Sequence, residues 1–175
     1  MNPDPGSSTT KSLQFDQVSV GDELPELVVD VTPTTVVLGA LASRDWRPMH
    51  HDFKFATERN GVQDIFLNTP NQAAWFERFV TDWTGPKGRI GRMKFRMRDS
   101  VFPGDRTTYR AKVTDVETDD EGCAWVSLEV ALYATDPEAA ATDPEKIATT
   151  CTVRVAVPKN ENDNPWTRMG DGWQP

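Results

Sequence analysis

The clearest helical pattern in the chain runs from residue 69 to residue 83. Thr69 is suited to the N-cap, Pro70 to the first helical position and Gln72 to a capping box, and Gly85–Pro86 ends the pattern. Apolar side chains recur at helical spacing: Ala73, Phe76, Phe79, Val80 and Trp83. We therefore predict a long central helix whose apolar face packs against a sheet.

Four segments downstream alternate between polar and apolar residues, the period of a β-strand. They span residues 92–98, 106–116, 123–133 and 146–157, and Pro103–Gly104 and the acidic turn ETDDEG separate some of them. The apolar sides carry Met93, Phe95 and Met97, then Tyr109, Ala111 and Val113, then Val126, Leu128, Val130 and Leu132, and last Thr149, Cys151, Val153, Val155 and Val157. Strands joined by turns predict an antiparallel sheet.

Shorter elements precede the long helix. Leu27–Val31 is predicted to be a strand, and Thr32 caps a helix that starts at Pro33 and has Val37, Ala40 and Leu41 on one face. Pro48 stops a helix from continuing, and Asp52 caps a short helix over 53–59. The order of elements predicts an α+β domain.

Composition sets the expected organisation of the 175 residues. Residues 1–12 are rich in Pro, Gly, Ser and Thr and are expected to be disordered. Residues 13–158 form the domain, with the repeated ATDPE at 134 and 141 in a surface loop. Residues 159–175 form a polar tail that carries Trp166 and Trp173, so we expect it to lie along the body or along a partner subunit.

Charge and cysteine usage narrow the function classes. The net charge of −8 argues against a nucleic-acid binder. No apolar run approaches the roughly 20 residues of a membrane helix, and no secretory signal is evident, so the cytoplasm is expected. Cys123 and Cys151 fit two buried thiols, although neighbouring strands would allow a disulfide. Their spacing predicts no metal site.

Candidate chemistry is concentrated in SRDWRPMHHDFKFA, residues 43–56, which holds the only two histidines. Asp45 and His50 could hold one water molecule from two sides, because a carboxylate and an imidazole can each exchange a proton with it. Alternatively, Asp45 binds the loop backbone and His50 packs in the core. His51 is expected to be structural.

This run resembles the signature of the MaoC-like (R)-specific enoyl-CoA hydratases. FDQVSVGDELP, FERFVTDWTG and SVFPGDRTTY are similar to further segments of that family in the same order, so the resemblance covers most of residues 15–157. It implies a hot-dog fold, an antiparallel sheet wrapped around a long helix. It also implies syn addition of water to a trans-2-enoyl-CoA by Asp45 and His50, with the coenzyme A thioester as substrate and no cofactor.

One segment departs from the family. Where the family commonly has His-Gly at the start of the central helix, this chain reads FLNTPNQ. Pro70 has no N–H, so a donor to the thioester oxygen would come from Asn68, Thr69 or Asn71. We assign Asn68 and Thr69 to this oxyanion role.

The pattern RDW…HHD…DIFLN…ERFVTDW is most similar to the small hydratase subunits of actinobacterial steroid side-chain degradation. Those assemble with a second hot-dog subunit that lacks the catalytic pair. A homodimer, a heterodimer or a heterotetramer is therefore expected. Trp46, Phe66 and Trp75 could line a pocket for a bulky acyl group, or could simply fill the core.

A basic row in this acidic chain could bind the phosphates of coenzyme A. It comprises Arg92, Lys94, Arg96 and Arg98. Arg96 and Arg98 are the candidates, and a solvated strand face is the alternative. Two other functions also stay open: a non-catalytic partner subunit or acyl-CoA binding module, and a hot-dog thioesterase.

Overall fold

The structure is a computed structural model that describes residues 11–136 and 145–175. The predictions for residues 1–10 and for 137–144 of the ATDPE loop lie outside this range. Ser12, which we expected to be disordered, is attached to the body, because its Oγ accepts a hydrogen bond of 2.9 Å from the backbone N–H of Lys87.

Five strands form one antiparallel sheet. The strands are β1 (Leu27–Asp30), β2 (Arg89–Met97), β3 (Arg106–Thr118), β4 (Ala124–Thr135) and β5 (Lys146–Ala156), and the helices are α1 (Pro33–Ala42), α2 (Phe53–Glu58) and α3 (Thr69–Thr84). The spatial order is β1-β3-β4-β5-β2. Within the described residues β2 pairs only with β5, so its outer edge has no ladder partner.

The core lies between α3 and the inner face of the sheet. Phe76, Phe79 and Val80 of the helix are buried, as are the predicted inward residues of β3, β4 and β5. Phe76 meets Tyr109 edge to face at 5.1 Å. The predicted α+β class, with an antiparallel sheet wrapped around a long helix, is confirmed.

Two local predictions were wrong. Asn68, not Thr69, caps α3, and Gln72 is buried rather than part of a capping box. In α1 the buried residues are Val36 and Ala40, whereas Leu41 is 45% exposed. The apolar residues of α1 surround the whole helix, so their spacing did not identify the inward side.

Both cysteines are buried free thiols. Cys151 belongs to the main core, while Cys123 belongs to a separate small cluster with Trp125 and Ala156. The possible disulfide is therefore not formed, and the interpretation as two buried thiols is correct.

The C-terminal tail lies along the body, on the outer face of the sheet. Trp173 packs against Trp125 with ring centroids 4.8 Å apart, and the Arg89 guanidinium lies 3.6 Å from the Trp173 ring centroid. Arg89 also donates hydrogen bonds to the carbonyls of Pro165 and Arg168. None of the described helices is long and apolar enough to cross a membrane.

Candidate active site

The end of α1 positions Asp45. Ser43 is the C-cap, and its Oγ donates to the carbonyl of Gly39 at 2.8 Å. Arg44 then adopts a φ of 55°, the left-handed region that non-glycine residues rarely occupy. This turn reverses the chain so that the N–H of Asp45 donates to the carbonyl of Ala40 at 2.9 Å. The carboxylate of Asp45 is therefore placed by a fixed backbone turn.

His50 lies in the short 3-10 turn Pro48–His50 and is only 4% exposed. Its Nδ1 is 2.7 Å from the carbonyl oxygen of Phe66. A carbonyl can only accept, so Nδ1 carries the proton, and in the neutral imidazole Nε2 is an acceptor. The Phe66 ring packs edge to face on the imidazole at 4.9 Å and fixes its plane.

The two predicted catalytic side chains meet. His50 Nε2 lies 3.5 Å from Oδ2 of Asp45, longer than an ordinary N–H···O hydrogen bond. Both facing atoms are acceptors when the carboxylate is ionised and the imidazole is neutral. One water molecule could donate one proton to each, which leaves its oxygen lone pairs free to attack an electrophile.

Asn68 joins this pair to α3. Its Nδ2 donates to Oδ2 of Asp45 at 3.1 Å and to Oγ of Ser43 at 2.8 Å. Its Oδ1 accepts the N–H of Asn71 at 3.2 Å. Both amide N–H groups and one lone pair of Oδ1 are thus used within the protein. No amide proton of the Asn68 side chain is left for substrate. The oxyanion role predicted for Asn68, which concerned a backbone N–H, stays a prediction.

The surroundings of Asp45 keep it ionised. Partial burial alone would raise its pKa, but the hydrogen bond from Asn68, the N–H of Arg47 and the positive charge of Arg47 outweigh that effect. The pKa of Asp45 is consequently below its usual value. A carboxylate in this state serves as a hydrogen-bond acceptor rather than as an acid.

A cleft of about 250 Å³ opens beside the pair. It is lined by Asp45, Arg47, Met49, His50, Phe66, Leu67, Asn68, Thr69, Gln72, Met97, Arg98, Asp99 and Ser100. Arg98 reaches it because the ladder of β2 ends there: the N–H groups of Arg98 and Asp99 both donate to the carbonyl of Ala148. Thr69 is exposed at the rim, so its assignment to the oxyanion site stays a prediction.

The structure separates the two predicted coenzyme A ligands. Arg96 lies on the outer face of the sheet, where it lines a different groove of about 780 Å³ together with Lys94, Arg110 and Lys112. Regular strand alternation keeps it on that face, while the irregular end of β2 turns Arg98 toward the catalytic pair. Arg96 therefore does not line the cleft beside Asp45 and His50, and its assignment to coenzyme A stays a prediction.

The three large aromatic residues have three different environments. Phe66 lines the cleft. Trp75 packs against Tyr109 at 6.4 Å, as ordinary core filling. Trp46 is 66% exposed and does not line the cleft, so the pocket interpretation fails for it.

Sequence reasoning missed three contributors to the site. Ser43 was taken for the end of a helix and Gln72 for part of a cap, and the Phe66 carbonyl carries no side-chain signal. A signal for Gln72 did exist, since it falls four residues before the apolar Phe76 on the same helical face. In residues 11–136 and 145–175 no cluster of His, Cys, Asp and Glu could hold a metal ion.

The sequence is similar to a known protein family over most of its length. The family model described as "MaoC like domain" matches residues 17–134. A curated relative, the 3-oxo-4,17-pregnadiene-20-carboxyl-CoA hydratase beta subunit of Mycobacterium tuberculosis, is 38% identical over 97 residues, which are 55% of this chain and 74% of the relative.

Solved structures share the architecture. A chain of the ChsH1-ChsH2 complex from Mycobacterium tuberculosis is 29% identical with a TM-score of 0.66, over 79% of this chain and 98% of that chain. The (R)-hydratase from A. caviae has a TM-score of 0.67 at 20% identity, over 81% and 98% of the two chains. The R-hydratase of Pseudomonas aeruginosa has a TM-score of 0.69 at 15% identity, over 91% and 97%. With its family-model match and its hot-dog architecture, the chain belongs to the MaoC-like domain family.

Proposed function

We propose that this protein is an enoyl-CoA hydratase that adds water to a 2-enoyl-CoA thioester, or removes it in the reverse direction. The observation that carries the proposal is the pair formed by Asp45 and His50, whose acceptor atoms meet at 3.5 Å beside a cleft. The family resemblance supports the same chemistry.

The proposed reaction uses both acceptors on one water molecule. The enoyl thioester is electrophilic at C3 because its double bond is conjugated with the carbonyl. The water oxygen bonds to C3 as the pair takes one of its protons, and electron density moves to the thioester oxygen as an enolate. A proton then passes from the pair to C2, so that the elements of one water molecule are added across the double bond.

A CoA thioester with a bulky acyl group is the first substrate to test. The support is the printed name of the mycobacterial relative, a pregnadiene-carboxyl-CoA hydratase subunit. Arg98 at the rim of the cleft offers a guanidinium for a phosphate of the coenzyme.

We further propose that a second hot-dog subunit completes the site. The cleft of about 250 Å³ is smaller than typical ligand pockets, which start near 300 Å³. The unpaired edge of β2 can accept another strand, and this strand ends at Met97 and Arg98, which line the cleft. A subunit docked along β2 would therefore border the catalytic pair. The mycobacterial neighbour, a complex of two named components, supports a heteromeric assembly.

The test is a hydration assay on the chain alone and with a candidate second subunit, following loss of the conjugated enoyl absorbance. We expect Asp45→Asn and His50→Ala to lower kcat at least about 100-fold, the usual size of a lost acid–base group. His51→Ala is the matched control, because His51 is exposed and does not line the cleft.

Each alternative has its own result in this assay. Normal turnover in both pair variants would refute the proposal. Binding of the substrate without turnover, alone or with the second subunit, would instead indicate a non-catalytic subunit. Release of free CoA thiol without addition of water to the enoyl double bond would indicate a thioesterase.

A further inference from the structure

The N-terminus of α3 has lost most of the backbone donors that could bind a thioester oxygen. Pro70 has no N–H, the N–H of Asn71 is bound by the Asn68 side chain, and the N–H of Gln72 donates to the Asn68 carbonyl at 3.2 Å. Within the described residues only two backbone N–H groups at this end of the helix have no partner, those of the cap residue Asn68 and of Thr69. A developing enolate would need a further donor.

Gln72 is the buried polar side chain in the right place. It is 1% exposed, yet it is one of the residues that line the cleft. Its Oε1 accepts a hydrogen bond of 2.9 Å from Oγ1 of Thr149, a fully buried residue of β5. Among the described residues Nε2 has no hydrogen-bond partner, and it is not one of the fully buried polar atoms that lack one. The exposed part of this residue borders the cleft. The amide N–H groups are thus left to face the cleft.

The position along the helix suits the substrate. Gln72 follows the cap residue Asn68 by one turn, a rise of roughly 6 Å along the axis. Asn68 touches Asp45 at 3.1 Å. In an enoyl thioester with C3 at the Asp45–His50 pair, the carbonyl oxygen lies a few ångströms from C3. If that oxygen points along α3, it comes within reach of Gln72.

We propose that the side-chain amide of Gln72, held by Thr149, donates a hydrogen bond to the thioester carbonyl and stabilises the enolate. Gln72 is then a catalytic residue, and Thr149 is a positioning residue that fixes which way the amide points. The inference rests on the proposed hydratase function. It adds a side-chain donor to the few backbone N–H groups that the start of the helix leaves free.

The experiment compares Gln72→Met with wild type in the full chain together with its second subunit. Loss of one oxyanion donor should lower kcat about 100- to 1,000-fold, while KM changes by less than about threefold. Thr149→Val should give a smaller loss of kcat. Thr84→Val is the matched control: it removes a buried hydroxyl at the opposite end of the same helix and should leave kcat unchanged.

A spectroscopic readout separates this role from a structural one. A 2,4-dienoyl-CoA serves as the probe, because polarisation of its carbonyl shifts the absorbance to longer wavelength on binding. Wild type should show this shift and Gln72→Met should lose it. If Gln72→Met folds poorly, the double variant Gln72→Met/Thr149→Val replaces it, because that variant leaves no unpaired hydroxyl in the core.

The two proposals fail in different ways. A red shift in wild type that disappears in Gln72→Met, without any hydration by wild type, would end the hydratase proposal and keep the carbonyl contact. A Gln72→Met protein with kcat near that of wild type, a shift retained in it, or no shift in wild type would overturn the role of Gln72.

Discussion

Replacing Asn68 by Asp tests how the catalytic carboxylate is held. The change preserves the helix cap, because an aspartate oxygen can accept the Asn71 N–H as the amide oxygen does. It removes the donor to Asp45 and to Ser43. It also places a second carboxylate where Nδ2 lies 3.1 Å from Asp45.

The magnitude follows from Coulomb's law. Two unit charges at 3.1 Å repel by about 1.3 kcal/mol in water and by about 5 kcal/mol at an effective dielectric constant of 20. The Asp45 side chain is only 19% exposed, but it borders an open cleft and one of the two carboxyls can take up a proton, which limits the repulsion. We therefore expect about 1 to 3 kcal/mol. If that energy is lost from the transition state, kcat/KM falls about 5- to 150-fold.

The pH dependence has a defined sign. In wild type the pKa of Asp45 is below its ordinary value, so its interactions stabilise the fold above the unfolded-state pKa and are lost as pH falls. In Asn68→Asp the pKa of the carboxylate pair rises. The variant should therefore be least stable relative to wild type near about pH 7, and the gap should narrow toward about pH 4 as one carboxyl takes up a proton.

The assay combines kcat/KM profiles with denaturant midpoints at several pH values. Asn164→Asp is the matched control, since Asn164 caps a short turn in the tail, outside the cleft. The reasoning would be refuted if Asn68→Asp kept wild-type kcat/KM and showed the same pH dependence of stability as Asn164→Asp.

Three further predictions concern the two arginines, the tail tryptophans and the buried tyrosine. Arg98→Ala should raise KM for the CoA substrate, whereas Arg96→Ala on the outer face should not; equal effects in steady-state kinetics would contradict the split between them. Trp173→Ala should lower the free energy of unfolding by about 1 to 3 kcal/mol because its packing on the sheet is lost, and the exposed Trp166→Ala by much less in the same denaturant titration. Tyr109→Phe should not destabilise the protein and should gain about 1 kcal/mol in unfolding free energy, because the buried hydroxyl has no partner in the described structure; a clear loss of stability would show that the hydroxyl is bound.

The elements were predictable from the sequence wherever one side of an element is buried and the other is not. Strict alternation identified the inward residues of β4 and β5, and helical spacing identified the buried side of α3. The short helix α1 was placed correctly, but its buried side was not, because Leu38 and Leu41 remain exposed there. Apolar character alone does not say which neighbour will cover a residue.

The contact between Asp45 and His50, the proposed catalytic pair, was predictable because both lie in one short segment. Its supports were not, because they come from distant parts of the chain. The Phe66 carbonyl that orients His50 and the Asn68 amide that holds Asp45 depend on how α3 docks against the loop. The separation of Arg96 from Arg98 depends on the irregular end of a strand, which alternation cannot reveal.

The open edge of β2 has a practical consequence for handling the purified chain. Alternate residues of the nine-residue strand Arg89–Met97 direct backbone N–H and C=O groups to this edge, where a strand of a second copy could pair. The cationic side chains along that strand would then face one another, and their mutual repulsion would keep copies apart at low ionic strength. The Debye length falls from about 10 Å at 0.1 M salt to about 3 Å at 1 M, so concentrated salt screens this repulsion. High salt should therefore promote aggregation of this chain rather than prevent it.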